Sequence, residues 1–333
     1  MPNHTDFLNQ KTFYSFTGNE SYKPLPSLMS KLYVQQTSSW PQFSAAADAL
    51  ENVRTREIER NGLSVKLQFN PARIISTAVS IDRKSRHERP CFLCIDNLPK
   101  AQKGILYRHN FLILCNPYPI LKRHYTLSHI KHMPQSFSNH IDDFLHFAKD
   151  ISPDYNVFYN GPLAGASAPD HQHFQALPTG LLPFETELHK NRTRHLIKSL
   201  DGNLLFTMAL PGRQVIIVEG KSIERLTDVL MTIINRFKMA ISTLSEPIMN
   251  LLCFYLGHAW QVIIFLRRKH RPDVYYLQGE DRILVSPGLV EMGGLMITPI
   301  EKDFCTLDAE MIEDIYKEVS LDPKIFQQVI NAL

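Results

Sequence analysis

The chain has 333 residues, 44% of them hydrophobic and 21% charged, with a net charge of +3. That length exceeds one ordinary single-core domain and fits two of about 150 residues each, and the composition is that of a folded enzyme without low-complexity tracts. So small a charge gives no sign of a nucleic-acid stripe and suits small anionic ligands better, and MPNHTDFLNQ lacks the basic region and apolar run of a secretory signal. A cytoplasmic protein with neither nucleic acid nor membrane as partner is expected.

In chain order, residues 42–60 (QFSAAADALENVRTREIER) have helix-forming composition, with Asn61-Gly62 as a stop, and predict a helix. The β-branched and alternating stretch after it predicts a strand that carries Asn70 and Arg73 out of its end, where they could meet a ligand; Lys84 is a weaker candidate of the same kind. FLILCNPYPI (111–120) and RHYTLSHIKH (123–132) read as an antiparallel hairpin, 134–151 as a helix, and YNVFYNG (155–161) as a strand leading to PDHQHFQALP (169–178). The second half follows the same grammar: strand 214–220, helix 221–243, strands 250–256 and 260–266, and a helix from about 308. Two related α+β halves are expected, each an antiparallel sheet packed with helices. The apolar run 251–266 is broken by Gly257 and His258 and reads as two buried strands rather than a membrane span.

The chemistry concentrates at 169–178. In an extended strand, alternate side chains share a face, so His171, His173 and Gln175 point one way while Phe174 and Ala176 can pack on the other. A neutral imidazole is a good nucleophile toward phosphorus, and a backbone carbonyl on one ring nitrogen fixes the tautomer that leaves the other free. His173, central on the face, is the candidate nucleophile. Gln175 can donate an amide N–H to a phosphate oxygen but cannot titrate, which favours transfer over hydrolysis. The small residues of YNGPLAGASAPD (159–170) let backbone N–H groups approach an oxyanion, making Asn160, Gly165 and Ser167 phosphate-contact candidates.

Five cysteines are an odd number and argue against a disulfide framework. Cys91 and Cys94 form a Cys-x-x-Cys knuckle that histidines could complete into a tetrahedral zinc site; His132 and His171 would tie it to the motif strand, with His124 and His129 as rivals. Cys115, Cys253 and Cys305 read as packing residues.

His171-Gln172-His173-Phe174-Gln175, with the upstream Asn160…Gly165-Ala166-Ser167 loop, resembles the His-x-His-x-Gln branch of the histidine-triad superfamily. That branch includes galactose-1-phosphate uridylyltransferase and diadenosine tetraphosphate phosphorylase. Residues 250–272 and 283–299 resemble the carboxy-terminal domain of the phosphorylase group, and QFNPARI (68–74) is similar to a nucleotide-contacting segment of nucleoside-diphosphate-sugar phosphorylases. The resemblance implies an α+β fold with a histidine-triad-like catalytic domain over 1–200 and a second domain over 201–333. It implies a covalent nucleotidyl intermediate on His173, phosphate stabilisation by Gln175, and structural zinc on Cys91, Cys94, His132 and His171. Asp170 stands before His171 where the uridylyltransferases carry proline, so uridylyl specificity is not carried over. Arg267 and Lys269, in the basic stretch RRKHR, could reach polyphosphate from the second domain.

The function expected is that of a nucleotidyltransferase or phosphorylase acting on a dinucleoside polyphosphate or nucleotide sugar, with phosphate or a sugar phosphate as acceptor. Magnesium arriving with the substrate is compatible with it, and a homodimer is one assembly the resemblance suggests. The rivals are a dinucleoside polyphosphate hydrolase and a non-catalytic nucleotide sensor.

Overall fold

The computed structural model describes residues 4–20, 24–74, 90–190 and 194–333; Lys84 lies outside them. Helix α1 (His4–Lys11) runs into strand β1 (Thr12–Phe16), and α2 (Leu25–Ser39) and α3 (Pro41–Ala49) follow, each with a proline in its first turn, where the missing N–H costs nothing. The helix expected over 42–60 ends at Ala49, and after a short 3-10 turn β2 (Arg54–Arg60) pairs antiparallel with β3 (Leu63–Phe69). Asn61 and Gly62, at φ 50° and 84°, make the two-residue hairpin turn between them. An Asn-Gly pair is the standard residue choice for such a turn, and Ile58 opposite Val65 supplies the cross-strand packing, so hairpin chemistry overrides the helix propensity of 54–60.

The first repeat comprises β4 (Gly104–Tyr107), β5 (Phe111–Cys115), β6 (Tyr125–His129), α4 (Ile141–Asp150), β7 (Tyr155–Asn160) and β8 (His173–Pro178). Helix α4 is shorter than the expected 134–151, because the chain turns through Pro134–His140 before entering it. After α5 (Pro183–His189) the pattern recurs in β9 (Arg194–Leu200), β10 (Asn203–Leu210), β11 (Arg213–Gly220), α6 (Ile223–Ala240), β12 (Met249–Leu256) and β13 (Ala259–Leu266). The chain closes with α7 (Leu289–Met292), β14 (Leu295–Thr298), α8 (Glu301–Thr306), α9 (Ala309–Val319) and α10 (Pro323–Asn331).

The strands form an eleven-stranded sheet ordered β1-β4-β5-β6-β8-β7-β12-β13-β11-β10-β9. Leaving out β1, the order 4-5-6-8-7 meets its own mirror, 12-13-11-10-9, at the antiparallel β7·β12 pair, with α4 and α6 at equivalent points. The α+β class and the two related halves are both present. On one face α4 (Phe144, Phe147) and α6 (Leu230, Ile233) pack on Phe174, Ala176, Val262 and Ile264. Each of the buried Phe, Leu, Ile and Val side chains contributes about 1.5–3 kcal/mol relative to exposure.

On the opposite face a three-stranded sheet, β14-β3-β2, covers part of the large one, with β14 parallel to β3. Leu67, Met296, Ile263, Phe265 and Ile315 share its core. This sheet draws residues 54–69 and 295–298 together, so the walls beside it come from both ends of the sequence. Cys115 and Cys253 are buried as expected, whereas Cys305 is exposed on α8, a short helix with only one side against the core. Among the described residues no helix is long and apolar enough to cross a membrane.

Candidate active site and metal centre

Strand register builds the site. Ser128 of β6 pairs with His173 of β8 and Thr126 with Gln175, so residues 124, 126 and 128 alternate onto the face that bears His173 and Gln175, while Phe174 and Ala176 enter the core behind. His173 is buried, its Nδ1 bonded to the backbone carbonyl of His171 at 2.8 Å and its backbone N–H donating to Gln135 Oε1 at 2.7 Å. A proton held on Nδ1 leaves the Nε2 lone pair to the cavity that the ring lines. Burial lowers its pKa, so the ring is neutral at physiological pH.

His171 stands beside that face, its Nε2 3.0 Å from Ser128 Oγ. Strand β8 begins at His173, and His171 sits in the bend before it, its N–H bonded to Ala168 O at 3.1 Å. Turned this way, its Nδ1 lies 3.3 Å from Cys91 Sγ and 3.6 Å from Cys94 Sγ, and Cys94 Sγ is 3.2 Å from His132 Nδ1. The donor atoms of Cys91, Cys94, His132 and His171 all lie within 4.8 Å of one another, a set that could hold a metal ion. His171 Nε2 donates to His129 O at 2.8 Å, which fixes the tautomer with its Nδ1 lone pair toward the thiols. Without a cation, burial and the neighbouring Cys91 push the Cys94 thiol up to about 12, and burial brings His171 down to about 4. The rivals are placed elsewhere: His129 Nδ1 meets the backbone of Lys131, and His124 Nε2 meets Gln175 Oε1 at 2.8 Å.

His173 and Gln175 open onto a cavity of about 300 Å³, which Arg73, Asn160, Gly165 and Ser167 also line. Gly165 has φ +95°, and a Cβ there would stand 2.7 Å from Gly288 Cα, so both conformation and contact require glycine. Asn160 Oδ1 accepts from Asn250 Nδ2 (2.7 Å) and Leu289 N (2.8 Å), leaving its amide N–H groups as remaining donors. Arg73 is half-buried and reaches Tyr118 O at 2.8 Å.

Three expected ligand contacts fall off the cavity wall. Asn70 is buried behind it at the end of β3, its backbone N–H on Thr298 O. Arg267 is fully buried, bonded through Nη1 to Asn250 Oδ1 and Pro287 O and through Nη2 to the carbonyls of Lys269 and His270. Its guanidinium is spent on holding the backbone around the site. Lys269 is held in ion pairs with Asp273 and Glu318. The basic stretch contributes His270 and Arg271 instead, and 283–299 contributes Ser286, Gly288 and Glu291. The alternation of RHYTLSH is the sequence signal for His124, and only the strand register shows that it meets Gln175 rather than a metal.

Residues 32–178 match a family model described as a domain of unknown function (DUF4922), and residues 189–333 match the GDPGP1-like C-terminal domain. No curated protein matches the chain. Among solved structures, yeast Ap4A phosphorylase Apa2 is similar at 14% identity and TM-score 0.53, over 84% of this chain and 94% of that one. The same enzyme in complex with AMP gives 15% identity and TM-score 0.51, over 87% and 96%. At this identity the likeness establishes a shared fold.

Proposed function

We propose that the protein is a nucleotidyltransferase of the phosphorylase type, acting on a dinucleoside polyphosphate or nucleotide sugar. The observation that carries this reading is the 2.8 Å bond from His173 Nδ1 to the His171 carbonyl, which readies a neutral imidazole beside a carboxamide in a cavity lined by small-residue loop backbone. The fold shared with a phosphorylase, solved also with AMP bound, supports it.

In this reading Nε2 of His173 attacks the α-phosphorus, a P–N bond forms, and the P–O bond to the distal group breaks with its electron pair on the departing phosphate oxygen. Gln175 donates its amide N–H to a non-bridging oxygen as charge gathers there, with backbone N–H groups of 165–167 beside it. An oxygen of inorganic phosphate or a sugar phosphate then attacks phosphorus, the P–N bond breaks, and His173 returns neutral. The departing group is already an anion of low basicity, so a non-titrating glutamine suffices where an acid would otherwise be needed. Magnesium would arrive with the polyphosphate.

We assign zinc to Cys91, Cys94, His132 and His171, which would hold it; its contribution would be structural, to rigidify the bend whose carbonyl holds His173. Residues 1–200 would form the catalytic domain and 201–333 the second, with β9 (Arg194–Leu200) crossing to pair with β10 of the second.

Incubation with nucleoside triphosphates, dinucleoside polyphosphates and nucleotide sugars without acceptor, quenched in base and weighed intact, tests the reading. A nucleoside monophosphate adduct is expected in the wild type and absent from His173→Ala. An adduct that persists in His173→Ala, or none with any donor, overturns it. Added phosphate should convert the adduct into nucleoside diphosphate; release of monophosphate alone would favour the hydrolase.

A further inference from the structure

Of the two polar side chains that face the cavity from β8, His173 is fixed by backbone, but Gln175 is a carboxamide whose two ends are nearly the same shape and opposite in hydrogen bonding. Presented one way it donates to a phosphate oxygen; flipped, it aims its own oxygen at the same anion. Something has to choose. The nearest candidate is His124, just ahead of β6 and two residues before Thr126, the partner of Gln175, with Nε2 2.8 Å from Gln175 Oε1.

Building on the nucleotidyl-transfer reading, we propose that His124 is the positioning residue that sets the Gln175 carboxamide, donating from Nε2–H to Oε1 so that the NH2 group faces the transferred phosphate. Two observations fix the direction of the bond. His124 Nδ1 is buried without a hydrogen-bond partner, and a proton there would be an orphaned donor, so the ring's one proton belongs on Nε2. Burial also brings the His124 pKa down to about 3, so the ring carries a single proton throughout the physiological range. Its ring stacks on Phe158 of β7, with centroids 6.2 Å apart and planes 22° from parallel, which restrains rotation of the imidazole. An uncharged donor is well suited to this role, because it orients the amide without adding a cation beside His173.

The tautomer is measurable without substrate. In 15N spectra of the histidine side chains, with the His124 signals assigned by their loss in His124→Gln, the expected pattern is protonated Nε2 and bare Nδ1, unchanged from pH 7.5 to 5. A protonated Nδ1 means that Gln175 donates to His124, and overturns the inference whatever the kinetics. The second arm is a double-mutant cycle on the rate of adduct formation, using the donor found in the mass panel. Gln175→Ala is expected to slow transfer about 100-fold, His124→Phe about 10- to 100-fold, and the double variant no more than Gln175→Ala alone. His124→Gln, which puts an amide donor near the Nε2 position, should stay within about 3-fold of wild type and covers the case in which the phenylalanine variant does not fold. Additive losses in the double variant overturn the positioning role while leaving the nucleotidyl reading intact. A panel without any adduct overturns that reading, and the tautomer still decides the pairing.

Discussion

The two halves of the large sheet share strand order and helix placement, yet their equivalent strands differ: β8 turns His173 and Gln175 to a cavity, where β13 turns Ile263 and Phe265 into the core. The difference lies in the connection between the last two strands of each repeat. In the second half β12 passes to β13 through Gly257-His258, and Ile263 and Phe265 on β13 sit in the core beneath the small sheet and α9. In the first half residues 161–172 intervene between β7 and β8, and the same face of β8 carries His173 and Gln175 instead. Lengthening one hairpin connection thus supplies a loop of small residues, a bend that turns His171 to the thiols, and a polar strand face. The second half acts as scaffold: through Arg267, Asn250 and the start of α7 it holds the loop that the first half carries.

The comparison is tested most severely by truncating that face in each half. His173→Ala should lower turnover roughly 10⁴-fold or more with little change in unfolding free energy, because its loss removes chemistry rather than core. Ile263→Ala should do the reverse, costing about 2–5 kcal/mol in urea unfolding while the folded fraction keeps its kcat. If both variants lose only stability, the two faces do the same job and the division of labour is wrong.

Next in size is Arg267→Met, which conserves much of the buried volume but removes every bond to Asn250 Oδ1 and the carbonyls of Pro287, Lys269 and His270. Each buried acceptor left unpaired costs about 1–3 kcal/mol, so a loss of at least about 3 kcal/mol is expected. Because Asn250 also bonds Ala164 O and Asn160, KM for the nucleotide donor should rise as well. Stability lost at unchanged KM would mean that the scaffold does not reach the loop. Gly165→Ala is expected to be milder in stability, about 1–2 kcal/mol for its positive φ, and its Cβ would have to displace Gly288.

The first half was legible where one short motif and its alternation set the outcome: β8, the hairpin before it, and a Cys/His cluster that could hold a metal ion, whose spacing left only the choice of histidines open. The repeat was legible as grammar because strand and helix periods survive divergence. Hairpin β2–β3 was missed because seven helix-tolerant residues before Asn61-Gly62 look like a helix running to its stop, and only the partner strand reveals otherwise. The roles of Arg267 and Lys269 were invisible for a related reason: a basic side chain near a ligand site looks the same in sequence whether it meets phosphate, a backbone carbonyl or a carboxylate. Which one it meets depends on long-range packing, which here brings Asn250 and Pro287 to Arg267 and Glu318 to Lys269.

The smallest effect concerns two histidines that line the cavity from opposite halves. Burial brings His124 down to about 3, and burial with the neighbouring Arg271 and Arg267 brings His270 to about 3 as well. Both are neutral in the folded protein, while in the unfolded chain they protonate near 6.5. A histidine whose folded-state pKa is depressed contributes stability that is present above 6.5 and lost as pH falls toward the folded value. Each therefore adds at most about 1.4 kcal/mol per pH unit to the acid slope below 6.5. His270→Gln should remove its share, flattening the dependence of urea-unfolding free energy between pH 6.5 and 5 without touching the slope that His124 contributes. An unchanged slope would mean that His270 takes up its proton in the folded protein too, and would add a further cation beside Arg271 on the cavity wall supplied by the second half.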